Sequence, residues 1–116
     1  MPHRIEQVNQ LIKEELGKII LREVDACKDA MLTITKVDSS ANLQIANVYV
    51  SAIIKEKEQS AFEELRKNTG DMQYLLNRKL RMRPVPKIIF KLDTAFEKEN
   101  KLYEILSDIE KNPDIM

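Results

Sequence analysis

Between residues 66 and 91 stand eight cations, Arg66, Lys67, Arg78, Lys79, Arg81, Arg83, Lys87 and Lys91, against the single acid Asp71. The chain as a whole is balanced, with 19 basic and 19 acidic side chains among 116 residues. A neutral sequence has therefore gathered positive charge in one stretch. Phosphate backbones are the commonest reason, because contacts to them are electrostatic and release counterions. The densest part is Leu80-Arg81-Met82-Arg83-Pro84-Val85-Pro86-Lys87. Alternate residues of an extended segment point the same way, so Arg81 and Arg83 are expected to project together while Met82 and Val85 turn inward. Arg78 and Lys79 end a predicted helix, where cations also suit the negative pole of the helix dipole without any ligand. That explanation does not reach Arg81, Arg83, Lys87 and Lys91.

Asn68-Thr69-Gly70 interrupts a helical stripe and has two readings. It bends the chain around a sheet, or it offers freed backbone N–H groups and small polar side chains to phosphate and sugar oxygens. Arg66 and Lys67 just before it favour the second. Tyr49, Tyr74 and Phe90 could stack on bases, but Phe90 sits in an apolar strand and reads as core. Aromatic residues make up only 5% of the chain. Recognition of a folded RNA by shape and backbone therefore fits better than stacking on single strands.

Other chemistries lack their parts. One histidine, His3, and one cysteine, Cys27, supply neither a zinc site of the usual composition nor a Cys-His nucleophile, and no metal or other cofactor is expected. Two glycines, Gly17 and Gly70, cannot build a Walker loop or a dinucleotide-binding fingerprint. The adjacent acids Glu14-Glu15 and Glu63-Glu64 read as solvated helix surface and not as a hydrolytic pair. No small-molecule substrate is expected.

The elements that must carry the cations follow from periodicity. Ile5, Val8, Ile12, Leu16, Ile19 and Ile20 recur at steps of three and four, which predicts an amphipathic helix over 3–24. Residues 31–37 and 43–54 are rich in β-branched side chains, and Asp38-Ser39-Ser40-Ala41-Asn42 between them favours a turn, predicting two antiparallel strands. Asp25 to Asp29 reads as a connection, with Cys27 a partly buried filler. Residues 58–80 predict two consecutive helices broken at Asn68-Thr69-Gly70, since glycine costs about 1 kcal/mol in a helix interior. Pro84 and Pro86 exclude further helix, Ile88 to Leu92 predicts a third strand, and 96–109 predicts a short last helix. The order suits an α+β domain with its helices on one face of a three-stranded sheet.

The length allows one core, so a single domain is expected over 1–110, with 111–116 as a disordered tail. Hydrophobic residues at 43% and charged residues at 33% are ordinary for a globular protein. A lone cysteine and a charged, amphipathic beginning point to the cytoplasm, and no apolar run approaches the roughly 18 residues of a membrane span. Residues 93–116 carry seven acids against three lysines and should face away from any polyanion.

With these residues in place, the chain resembles the ribosome-binding factor A family over about residues 3–109. The likeness rests on the opening helix from Arg4 through Glu15-Leu16-Gly17-Lys18-Ile19-Ile20, on Leu32-Thr33-Ile34-Thr35-Lys36-Val37, on Leu43 through Val48-Tyr49-Val50-Ser51, and above all on Leu80-Arg81-Met82-Arg83-Pro84-Val85-Pro86 followed by a strand and Asp93. The resemblance implies a type II KH-like fold, in order α-β-β-α-(kink)-α-β, whose glycine loop is replaced by a kink, here Asn68-Thr69-Gly70. It further implies a monomer that binds the free 30S subunit or its precursor and contacts 16S rRNA near the decoding neck and the 5′ terminal helix. Such a protein assists late maturation, leaves before translation and catalyses nothing. The RNA-binding residues would be Arg66, Lys67, Asn68, Thr69, Gly70, Arg78, Lys79, Arg81, Arg83, Lys87 and Lys91. Asn68 in place of the usual alanine, Gln73 where arginine is frequent, and Glu99 where glycine is frequent depart from the family pattern and imply weaker RNA affinity or a footprint confined to the region from Arg78 to Lys91. The alternative from the residues alone is a protein-binding adaptor whose cations serve only solubility.

Overall fold

A computed structural model of the chain describes residues 3–95. The predicted helix over 96–109 and the tail 111–116 lie outside the described residues. Helix α1 (Arg4–Glu23) buries Val8, Ile12, Leu16, Ile19 and Ile20, the stripe its periodicity marks. A second helix, α2 (Asp25–Ala30), occupies what the sequence suggests is a plain connection. It ends where Met31 takes a left-handed conformation, φ 54°, which lets the chain turn into strand β1 (Leu32–Ser39). Strand β2 (Ile45–Ala52) pairs antiparallel with β1. After a single 3-10 turn at Lys55–Lys57, α3 (Glu58–Lys67) and α4 (Thr69–Lys79) meet at Asn68, and β3 (Lys87–Leu92) closes the sheet parallel to β2.

The sheet order is β1-β2-β3. A parallel pair cannot be joined by a tight turn, and here α3 and α4 form the crossover. Burial alternates strictly along β2, with Ala46, Val48, Val50 and Ala52 inward, so the helices cover one face and leave the other open. In β1 the alternation slips at a bulge between Ile34 and Lys36, where Thr35 and Lys36 are both exposed. The α+β architecture and the KH-like order stand as expected, with α2 added. Among the described residues no helix is long and apolar enough to cross a membrane.

One carboxylate fastens the crossover to the sheet. Glu58 Oε2 accepts the Ala52 N–H at 2.9 Å, Lys55 Nζ at 3.0 Å and the Ser51 hydroxyl at 3.5 Å. Burial pushes this carboxyl up, but the bonds from Ala52, Lys55 and Ser51 outweigh it and hold the group below its ordinary value. A carboxylate with a lowered folded-state pKa stabilises the fold above its unfolded pKa, and the contribution is lost as the pH falls through the folded value. Glu58→Ala should therefore cost about 1–3 kcal/mol at neutral pH, leaving the Ala52 N–H unpaired. Urea titrations of both proteins should converge as the buffer is taken into the acid range below the ordinary carboxylate pKa. A gap that stays constant with pH would show that the ionised carboxylate is not the stabilising species.

Candidate nucleic-acid interface

The outer edge of β3 organises the cations. Lys87, Ile89 and Lys91 are exposed on the open face, while Ile88 and Phe90 are buried beneath the helices, which settles Phe90 as core. On the helical side, Phe62, Arg66 and Thr69 form with β3 a groove of about 540 Å³ that also takes in Lys91. Arg66 lies over the Phe62 ring, 6.0 Å from its centroid, and so stands at the groove wall. Arg66 and Lys91 thus face one groove from two sides of the strand edge.

A second group gathers where β3 begins. Arg83, Met82 and Pro84 share a cleft of about 340 Å³ with Arg4 of α1 and with Asn42 and Leu43 of the β1–β2 turn. The sequence leaves open whether Arg4 and Lys13 of the first helix take part, and the fold brings Arg4 to the α4–β3 loop. Met82 and Val85 are partly buried against the core, as their spacing predicts.

The expected parallel projection of Arg81 and Arg83 is not what is found. The loop bends, and Arg83 folds back so that one guanidinium nitrogen donates to Leu80 O and to Met82 O, both at 2.7 Å. Leu80 is the C-cap of α4, whose last carbonyls have no partners within the helix. Arg83 therefore joins Arg78 and Lys79, which lie in the last turn of α4 as expected, at the negative end of that helix. Arg78 also lies over the Tyr74 ring, 5.8 Å from its centroid, and Tyr74 is 61% exposed. Arg81 and Lys79 are exposed.

The kink divides its residues similarly. Asn68 Nδ2 donates to Glu64 O at 2.7 Å and the Thr69 hydroxyl donates to Arg66 O at 2.8 Å. Both side chains close the end of α3, so Asn68 at this position has a local cause. Gly70 has nothing within 4 Å of where a Cβ would sit, and its φ is not positive. The fold does not require glycine there.

Among the described residues Lys67 is the one predicted contact cation with a carboxylate in reach, Glu64 at 3.4 Å, and both side chains are largely exposed. Such a pair contributes little and is screened by salt. The other cations are held by rings and carbonyls or stand in solvent.

Gln73 accounts for one departure from the family pattern. Its side-chain amide donates to Pro86 O at 3.1 Å and accepts the Ile88 N–H at 2.8 Å, so it pairs with β3 as a neighbouring strand would. Gln73→Ala should cost roughly 1–3 kcal/mol by stranding two partly buried backbone groups. Hydrogen exchange at Ile88 should accelerate while exchange in the β1–β2 pair changes little. Unaltered protection of the Ile88 amide would remove the strand-pinning role.

The groups weighed for other chemistry have ordinary surroundings. Cys27 is fully buried, and burial, with the negative charge of Glu64, pushes its thiol up to about 11. At neutral pH it is a protonated filler whose sulfur donates weakly to Ala61 O. Glu14 and Glu63 bond to Gln10 and Gln59 one helical turn away on exposed faces. No group of three or more His, Cys, Asp or Glu able to hold a metal occurs among the described residues.

Comparison with known proteins agrees with this architecture. The family described as Ribosome-binding factor A matches residues 4–106. The ribosome-binding factor A of Caldanaerobacter subterraneus subsp. tengcongensis is 35% identical over 113 residues, covering 96% of this chain and 93% of the relative. That of Dictyoglomus thermophilum is 35% identical over 111 residues, with 94% and 92% covered. The crystal structure of ribosome-binding factor A from Thermus thermophilus matches with a TM-score of 0.68 at 25% identity, covering 78% of this chain and 97% of the other. A Thermus thermophilus homology model fitted into a cryo-EM map of a complex with 30S matches with a TM-score of 0.55 at 26% identity, covering 72% and 93%. On its fold, its order of elements and a match that runs nearly end to end, this chain belongs to the ribosome-binding factor A family.

Proposed function

We propose that the protein is a ribosome assembly factor that binds the free 30S subunit or its precursor and assists late maturation by docking on 16S rRNA. It acts by binding, as a cytoplasmic monomer of one domain, and turns over no substrate. Membership of the family supports this reading, as does the 30S complex into which a Thermus relative has been fitted. The observation that carries it onto particular residues is the placement of Arg66 and Lys91 on either side of one groove, with Arg81 and Lys87 also exposed and no carboxylate paired to any of the four among the described residues. Cations held this way are available to phosphates. Lys67, Asn68, Thr69, Gly70, Arg78, Lys79 and Arg83 complete the proposed contact set, with Asn68, Thr69 and Arg83 supporting the shape of the surface. Gly70 leaves open space in which an RNA backbone can approach α4.

Sucrose-gradient fractionation of a cell lysate tests the reading. The protein should comigrate with 30S particles and not with 70S ribosomes, and ribonuclease should release it. Comigration that survives ribonuclease would favour the protein-adaptor alternative, and absence from 30S fractions would remove the proposal.

A further inference from the structure

The open face of the sheet has an aromatic ring at its centre. Tyr49 is the outward residue in the middle of β2, paired across to Lys36 on β1 and to Lys91 on β3. Side chains of paired residues stand on the same face, so the ring has a lysine on each flank. Lys36 Nζ is 5.6 Å from the ring centroid. A surface cation–π pair accounts for Lys36 but leaves the second flank unexplained. Along β2 the same-face neighbours are Asn47 and Ser51, an amide and a hydroxyl able to hydrogen-bond base edges.

Charge on this face favours an anion. Lys36, Lys87 and Lys91 project from it, and Lys55 reaches its rim through Ser51. Three acids oppose them, the first being Glu58, whose pairing with Lys55 at 3.0 Å cancels that lysine's charge. Asp93 is engaged by the Thr35 hydroxyl at 2.6 Å and by the Ala95 N–H at 3.0 Å, and Asp38 lies farther along β1, opposite Asn47. Lys91 and Ile89 also line the groove that holds Arg66. A strand leaving that groove can pass around the edge of β3 onto Tyr49 without leaving cationic surface.

We propose that the open sheet face is a second contact, for a single-stranded RNA segment, in which a base stacks on Tyr49 and the adjoining phosphates meet Lys36 and Lys91. The proposal rests on the reading that this chain binds rRNA, and it adds a site on the face opposite the helices. A strand-borne aromatic bracketed by polar and cationic side chains is what sheet-surface recognition of unpaired bases requires.

The test is titration of the intact protein with an unstructured oligoadenylate, read by NMR at the Tyr49 ring and by fluorescence anisotropy of a labelled oligonucleotide. The Tyr49 ring signals should move upfield, Tyr49→Ser should weaken binding roughly tenfold, and Tyr49→Phe should retain it. Lys36→Gln and Lys91→Gln should each lower the slope of log affinity against log salt by about one without touching the core. Equal affinity of Tyr49→Ser and wild type for the oligonucleotide overturns the proposal. So does loss of 30S binding in Tyr49→Ser with oligonucleotide binding unchanged, which would make the face a ribosomal-protein contact. Tyr49-dependent oligonucleotide binding in a protein absent from 30S fractions would leave this site standing and remove the assembly-factor reading alone.

Discussion

Charge reversal of Arg66, Arg81 and Lys87 together should abolish cosedimentation with 30S subunits while moving the melting midpoint by only a few degrees. All three side chains are exposed and none is paired with a carboxylate among the described residues. What the fold loses is the contact of Arg66 with Phe62, worth about 0.5–1 kcal/mol at an exposed site. Against that small loss stand the three phosphate contacts proposed for these residues, each a charge-assisted hydrogen bond worth roughly 1.5–3 kcal/mol where well made. The expected fall in affinity is roughly a thousandfold, with the salt slope reduced by about three. The wild type itself, engaging about four phosphates, should lose roughly a hundredfold between 50 and 200 mM salt. Arg83 is left out of the triple variant on purpose. Its bonds to Leu80 O and Met82 O make its replacement a change of loop shape as well as of charge. Retained cosedimentation of the triple variant would move the interface away from β3.

Leu16→Ala should have the largest effect on stability. Leu16 is fully buried in α1, within the same core as Ile12, Leu76 and Val50. Removing its branched end deletes the transfer free energy of the lost atoms and leaves a cavity that a small two-layer core closes only in part. The expected cost is about 3–5 kcal/mol. For a small domain near the low end of the usual range of roughly 5–15 kcal/mol, the unfolded fraction at growth temperature becomes appreciable. Urea denaturation should show a lower midpoint with an unchanged slope. Binding to 30S should fall in proportion to the folded fraction, whereas the charge-reversal variant loses binding while folded. A loss below about 1 kcal/mol would mean that α1 does not pack as described.

The sequence is informative wherever the decisive interaction is periodic or close in the chain. Ile12, Leu16, Ile19 and Ile20 declare α1 by spacing, and the alternation through Ala46, Val48 and Val50 declares β2. Asn68-Thr69-Gly70 marks the break between α3 and α4, and even its capping side chains bond within four residues. Helix α2 escapes because six residues with only Cys27 and Ala30 buried are too short to show a period. The site is less legible. Gln73 meets groups 13 and 15 residues away, and Arg4 joins the Arg83 cleft only through the tertiary fold. Tyr49 gains its two flanking lysines only once the register of three strands is known. Arg83 is an exception among near neighbours, for its bonds to Leu80 O and Met82 O are local, but the bend that makes them follows from no periodicity.

The parallel pairing of β2 with β3 also governs when the molecule becomes competent. Ile45 pairs with Lys87 and Val50 with Leu92, so the contacts that build the groove span a crossover of two helices. Contacts that distant in sequence form late, after the loop-closure entropy has been met. On a translating ribosome, α1 and the β1–β2 hairpin emerge from the exit tunnel well before β3 does. A nascent chain of this protein is thus without the β3 side of the groove, and without the docking surface proposed there, until β3 has been made and paired.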